Sequence, residues 1–162
     1  MKIIYFDVDG VFLSKDGQLR PYMDVVLEFC IQSSIRIFIG APEGPEYAHK
    51  IFATNYPELV DKMSGFFRSN TELDRTPSLY ISCNSETLKT SPGIIVPFFR
   101  PNVHNKFACL ALAGRLLESI RDKIVTNKEN KGTPKQQKKK QSNVRPEPPE
   151  HPYDTSQWGV SI

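Results

Sequence analysis

At 162 residues the chain has room for one domain with a sizeable buried core. Its net charge of +3 is local: eight Lys and Arg against four Asp and Glu lie from Lys123 onward, and thirteen against fourteen lie before it. Three scattered cysteines without a CxxC spacing argue against a disulfide frame, and neither a leader-like start nor an apolar run of spanning length is present, so an intracellular protein, cytoplasmic or nuclear and without a membrane partner, is expected.

The run Ile3-Ile4-Tyr5-Phe6 reads as a buried strand that ends in two carboxylates, Asp7 and Asp9, followed by Gly10. An Asp-Gly pair in residues 14–18 predicts a small hairpin or flap. Pro21 suits the first turn of a helix whose inward face is Met23, Val26, Leu27, Cys30 and Ile31. Residues 35–42 predict a second strand, closed by Gly40, Pro42, Gly44 and Pro45, and residues 46–56 a short amphipathic helix. Residues 66–77 read as loop, 78–85 and 93–99 as two more short strands. Residues 105–124 predict a closing helix with an apolar stripe through Phe107, Leu110, Leu112, Leu116 and Leu117. Strands alternating with helices predict an α/β domain over residues 1–122, doubly wound around a mostly parallel sheet covered on both faces, with no room for more than a minimal cap.

Residues 123–162 are rich in Lys, Pro and Gln and poor in aliphatic side chains, which predicts a disordered tail. Its last ten residues hold the only Trp, Trp158, and read either as a frayed end or as a docking segment. The run Lys138–Lys140 could attract an acidic partner or nucleic acid by charge.

The carboxylate pair carries the chemistry. Residues i and i+2 share a side of a strand, and Gly10 lets the chain turn away at once, so Asp7 and Asp9 would meet at the strand's C-terminal end, where α/β sheets place ligands. Two like charges so close need a cation or a proton between them. A nucleophilic carboxylate beside a carboxylic acid is what phosphoryl transfer through an aspartyl-phosphate requires, together with a divalent cation and donors for the phosphoryl oxygens.

The stretch "IIYFDVDGVFL" resembles the first motif of the haloacid dehalogenase (HAD) superfamily, a hydrophobic strand followed by DxDG[TV]. Further along, "LRPYMDVVLEF", "IRIFIGAPEGPEYAHKIF" and "SCNSETLKTSPGIIVPFF" resemble segments of the phosphatases similar to NLI-interacting factor and of the small RNA polymerase II C-terminal-domain phosphatases, so that the likeness spans about residues 1–120. It implies a HAD-like fold and a Mg²⁺-dependent phosphomonoesterase with Asp7 as nucleophile and Asp9 as acid and base; the short connections around the site leave it open, which suits a phosphoprotein or other bulky phosphoester as substrate.

The departures from that pattern matter as much. The second motif's Thr or Ser is replaced by Ile39, leaving a backbone N–H of Gly40 or Ala41 to bind phosphate. The third motif's Lys has no counterpart, though Arg68 stands at about the right distance. The fourth motif's two acids become Ser82-Cys83 in one register and Cys83-Asn84 in the other. In the second register Asp7, the carbonyl of Asp9, Asn84, phosphate and waters would complete a Mg²⁺ shell; Asn84 reads equally as a strand-end turn. The alternative implied is an impaired pseudophosphatase that binds a protein partner through the same cleft. His49, His104 and His151 lack metal-ligand spacing, and Cys30 and Cys109 read as packed thiols.

Overall fold

A computed structural model describes residues 2–69, 72–88 and 92–125. Most of the predicted tail, with Lys138–Lys140, His151 and Trp158, lies outside the described residues.

Five parallel strands form one sheet: β1 (Ile3–Asp7), β2 (Arg36–Gly40), β3 (Gly65–Phe67), β4 (Leu79–Ser82) and β5 (Gly93–Ile95), in the order β3-β2-β1-β4-β5. Three helices accompany them: α1 (Met23–Gln32), α2 (Pro45–Asn55) and α3 (Lys106–Ile120), the last running on as a π-turn through Arg121–Val125. The chain is α/β, as the alternation of elements predicts. The Asp-Gly segment forms the expected flap, in which Ser14 N–H donates to the Gln18 carbonyl at 2.9 Å and Leu13 bridges Leu19. None of the described helices is long and apolar enough to cross a membrane.

Three expectations need correction. Residues 65–67, taken largely as loop, pair with β2 as an edge strand; a three-residue strand of half-buried Phe66 and Phe67 lacks the alternation that would announce it. Among the described residues, α-helices cover one face of the sheet rather than both. Apart from Cys109, the buried residues of α1, α2 and α3 belong to the core that includes Ile4, Phe6, Ile37, Ile39, Leu79 and Ile81. Right-handed crossovers from β1 to β2 and from β2 to β3 step in the same direction and so leave both helices on one side. The return from β3 to β4 crosses the other side with no α-helix among its described residues, and the partly buried apolar side chains described against Ile3, Tyr5, Phe38 and Tyr80 there are Phe67 and Leu73. The stripe on α3 is also different. Cys109, Leu112, Ala113, Leu116 and Ile120 face inward, whereas at 100° per residue Phe107 and Leu110 fall outside that arc and are 83% and 52% exposed.

The strand order reverses direction at β1 and β4, the switch point at which open α/β sheets leave a crevice beyond the strand ends. β1 pairs with β4 through Phe6 and Ile81, so Asp7 and Ser82 stand side by side at that crevice.

Candidate functional site

β1 ends in Asp7 because its neighbours exclude anything polar further back: Ile4, Tyr5 and Phe6 are buried in apolar contacts on both faces. Asp7 shares the helix-free face with Tyr5, and the chain turns at Gly10, whose φ of +72° suits a residue without Cβ. A side chain there would also collide with the Phe98 ring and the Cys83 sulfur. The turn is held by Gly10 N–H donating to the Leu13 carbonyl at 2.8 Å and Phe12 N–H to the Val8 carbonyl at 2.9 Å.

Asp7, Asp9, Arg68, Cys83 and Asn84 line one cleft of about 280 Å³, with Tyr80 and Pro42 beside them. Four of the residues expected from sequence at the site therefore converge, from the ends of β1, β3 and β4. Burial pushes the Asp7 carboxyl up to about 6; a hydrogen bond from Ser82 opposes the shift and the Asp9 charge adds to it. Ser82 is fully buried, and its Oγ also accepts from Asn84 N–H at 2.9 Å, which ties the end of β4 to the nucleophile candidate. Burial raises the Asp9 carboxyl too, followed by the charge and hydrogen bond of Glu43. Glu43 escaped the sequence reading; an acid just before the helix that follows the second strand was the only signal for it.

Gly40 and Ala41 do not reach this cleft. Both are buried, Ala41 N–H donates to the Phe67 carbonyl at 3.0 Å, and the Gly40 carbonyl accepts from Val8 N–H at 2.8 Å within the β1–β2 ladder. A Cβ on Gly40 would overlap the Tyr5 hydroxyl, so the residue must be glycine for Tyr5 to lie across it. Ile39 points into the helix-covered core and is fully buried, so a hydroxyl placed at 39 would face apolar side chains rather than the cleft. Arg68 is exposed, and its Nη2 lies 3.5 Å from where a side chain on Gly44 would begin, at the entrance to α2.

The residues fit a hard divalent cation in kind. The Asp7 carboxyl, the Asp9 carbonyl and the Asn84 amide all offer oxygen, and a half-buried carboxylate beside a second one lacks a compensating charge among the groups that shift it. Two of these oxygens already serve the protein. The Cys83 thiol donates to the Asp9 carbonyl at 3.3 Å, and Glu86 N–H donates to the Asn84 amide oxygen at 3.0 Å, the strand-end turn weighed from sequence. Each keeps a second lone pair. Among the described residues no three His, Cys, Asp or Glu side chains are placed to hold a metal by themselves. The set suits an ion that retains waters and takes oxygens from its substrate.

Beneath the turn lies Arg20, 3% exposed, whose Nη2 donates to the carbonyls of Gly10 at 2.7 Å and Pro97 at 2.5 Å. Its guanidinium stands 5.1 Å above the Phe99 ring, and its Nε has no acceptor among the described residues. Of the described histidines, His49 packs edge-on to Phe66, and His104 Nδ1 accepts from Arg100 N–H at 3.0 Å. Burial raises the Cys30 thiol to about 12, as suits a packed thiol. Set against protein-family models, curated proteins and solved structures, the chain matches none.

Proposed function

We propose that the cleft is a phosphomonoesterase site of the HAD kind, of low activity and open to a phosphoprotein or another bulky phosphoester. The observation that carries the reading is the convergence of Asp7, Asp9 and Arg68 on one crevice at the switch point of a parallel sheet. Asp7 would attack phosphorus while the bond to the leaving alcohol breaks and Asp9 gives that oxygen its proton. Asp9, now ionised, would take a proton from water, whose oxygen displaces Asp7 from phosphorus and frees phosphate. Burial and Glu43 favour the protonated form that Asp9 needs for the first step. Arg68 would hold a phosphoryl oxygen. A Mg²⁺ held by Asp7, the Asp9 carbonyl and Asn84 would supply charge neutralisation between carboxylate and phosphate.

One observation favours the second reading, a pseudophosphatase that binds a protein partner in the same cleft: the Cys83 thiol and the Glu86 N–H already occupy two of the three oxygens a cation would use. Hydrolysis of a generic aryl phosphate at millimolar Mg²⁺ separates the two. The enzyme reading expects turnover that Asp9→Asn lowers by roughly 10²–10⁴-fold. Wild-type protein with no Mg²⁺-dependent turnover would leave the binding reading.

The same contacts predict the effect of restoring an acid. Cys83→Asp removes the thiol that donates to the Asp9 carbonyl and adds a hard anionic oxygen beside Asn84. Mg²⁺ affinity, read by titration calorimetry, should tighten roughly tenfold or more, the size of effect seen when the shell supporting a metal is changed. Unchanged affinity would place the cation elsewhere.

A further inference from the structure

Helix α3 has an outer face that the fold does not use. Phe107, Leu110, Ala111 and Gly114 follow one another along it, with Ala108 at its margin, and all five are exposed. Val103, just before the helix, is 63% exposed and extends the apolar surface. Nothing lies within 4 Å of the position a Cβ on Gly114 would take. A surface helix ordinarily turns charge to water on this side. Here Lys106, Arg115 and Glu118 sit only at the ends and edge of the stripe.

We propose that this face is where a second copy of the chain docks, α3 against α3, antiparallel about a two-fold axis between Leu110 and Gly114. The stripe is complementary to itself. Its bulk, Phe107 and Leu110, lies toward one end, and its room, Ala111 and Gly114, toward the other. A two-fold rotation sets each Leu110 over the open space at the partner's Gly114, and an uncharged stripe brings no like charges together. Taking roughly 200 Å² for a large side chain, the exposed fractions leave on the order of 500 Å² of apolar surface per copy. Two copies would bury about 1,000 Å², the lower bound of a specific interface. Such a dimer should dissociate in the micromolar range.

Sedimentation equilibrium on the full chain from about 1 to about 500 µM tests this. The wild type should pass from monomer to dimer with concentration. Leu110→Glu should weaken association at least tenfold by placing a charge in the seam. Gly114→Leu should do the same by filling the space that Leu110 needs, at a position where the added side chain meets nothing in the monomer. Both variants should keep the wild-type circular dichroism and, at dilutions where all are monomers, melt no lower than it. A wild type that stays monomeric over the whole range overturns the proposal, whatever else covers the face. So does a dimer that both variants leave unchanged.

Discussion

Replacing Asp7 with Asn is expected to abolish the proposed phosphoester hydrolysis and, in metal-free buffer at pH 8, to make the protein more stable. The first effect follows from losing the attacking oxygen. The second follows from burial, which raises the Asp7 carboxyl from 3.8 to about 6 in the fold. A group whose folded value is raised contributes stability below its unfolded value, and that contribution is lost as pH rises through the folded value. Above pH 6 the wild type therefore carries an ionised, poorly solvated Asp7 that the variant lacks. Allowing for partial exposure, the difference is about 2 kcal/mol, or roughly 5–10 °C in melting temperature. It should shrink between pH 6 and 4 and vanish below. Mg²⁺ should raise the melting temperature of the wild type but not of the variant. A variant that melts like the wild type at pH 8 would mean that Asp7 is solvated and the cleft more open than described.

Gly40→Ala should cost about 3 kcal/mol, a large loss for exchanging one hydrogen for a methyl, because the new carbon would coincide with the Tyr5 hydroxyl. Tyr5 has little freedom to yield: it is 1% exposed and stacked on Tyr80 with ring centroids 4.6 Å apart. Thermal melts of Gly40→Ala, Tyr5→Val and the double variant give the check. Gly40→Ala should cost much less in the Tyr5→Val background than in the wild type, since the obstacle is gone, although Tyr5→Val is itself destabilising. An equal cost of Gly40→Ala in both backgrounds would assign it to the β1–β2 backbone instead. The same crowding bars a Thr or Ser at 40, and a hydroxyl at 39 would face the helix-covered core, so neither change alone returns one to the cleft.

Much of the site was legible because strand chemistry is local. An apolar run that stops at Asp7, with Asp9 two residues on and a glycine after it, places two carboxylates at a strand end from periodicity alone. Asn84, two residues past the end of β4, was legible through the resemblance of its segment to a fourth motif rather than from periodicity. Gly40 and Ala41 were misplaced because their fate depends on partners far away in the chain: Tyr5 across the ladder, and Phe67 on an edge strand that had been read as loop. Glu43 was missed because nothing in its own neighbourhood says that Asp9 lies opposite. The α3 stripe was drawn through every apolar residue within reach, although Phe107 and Leu110 do not fit the period of Cys109, Leu112, Ala113, Leu116 and Ile120.

The buried Arg20 has a consequence for the conditions under which the turn after Asp9 keeps its shape. The guanidinium binds carbonyl oxygens, Gly10 on one side and Pro97 on the other, and none of the groups that shift its own titration is a carboxylate. Carbonyls do not titrate, and a charge this deep is barely screened by dissolved ions. The cross-brace between the turn and the segment after β5 should therefore hold equally in dilute buffer and in strong brine, in mild acid and in mild alkali. The cleft above it is different: Arg68 lies open to solvent and Asp7 titrates near 6, so what the site attracts will depend on the medium while its floor does not.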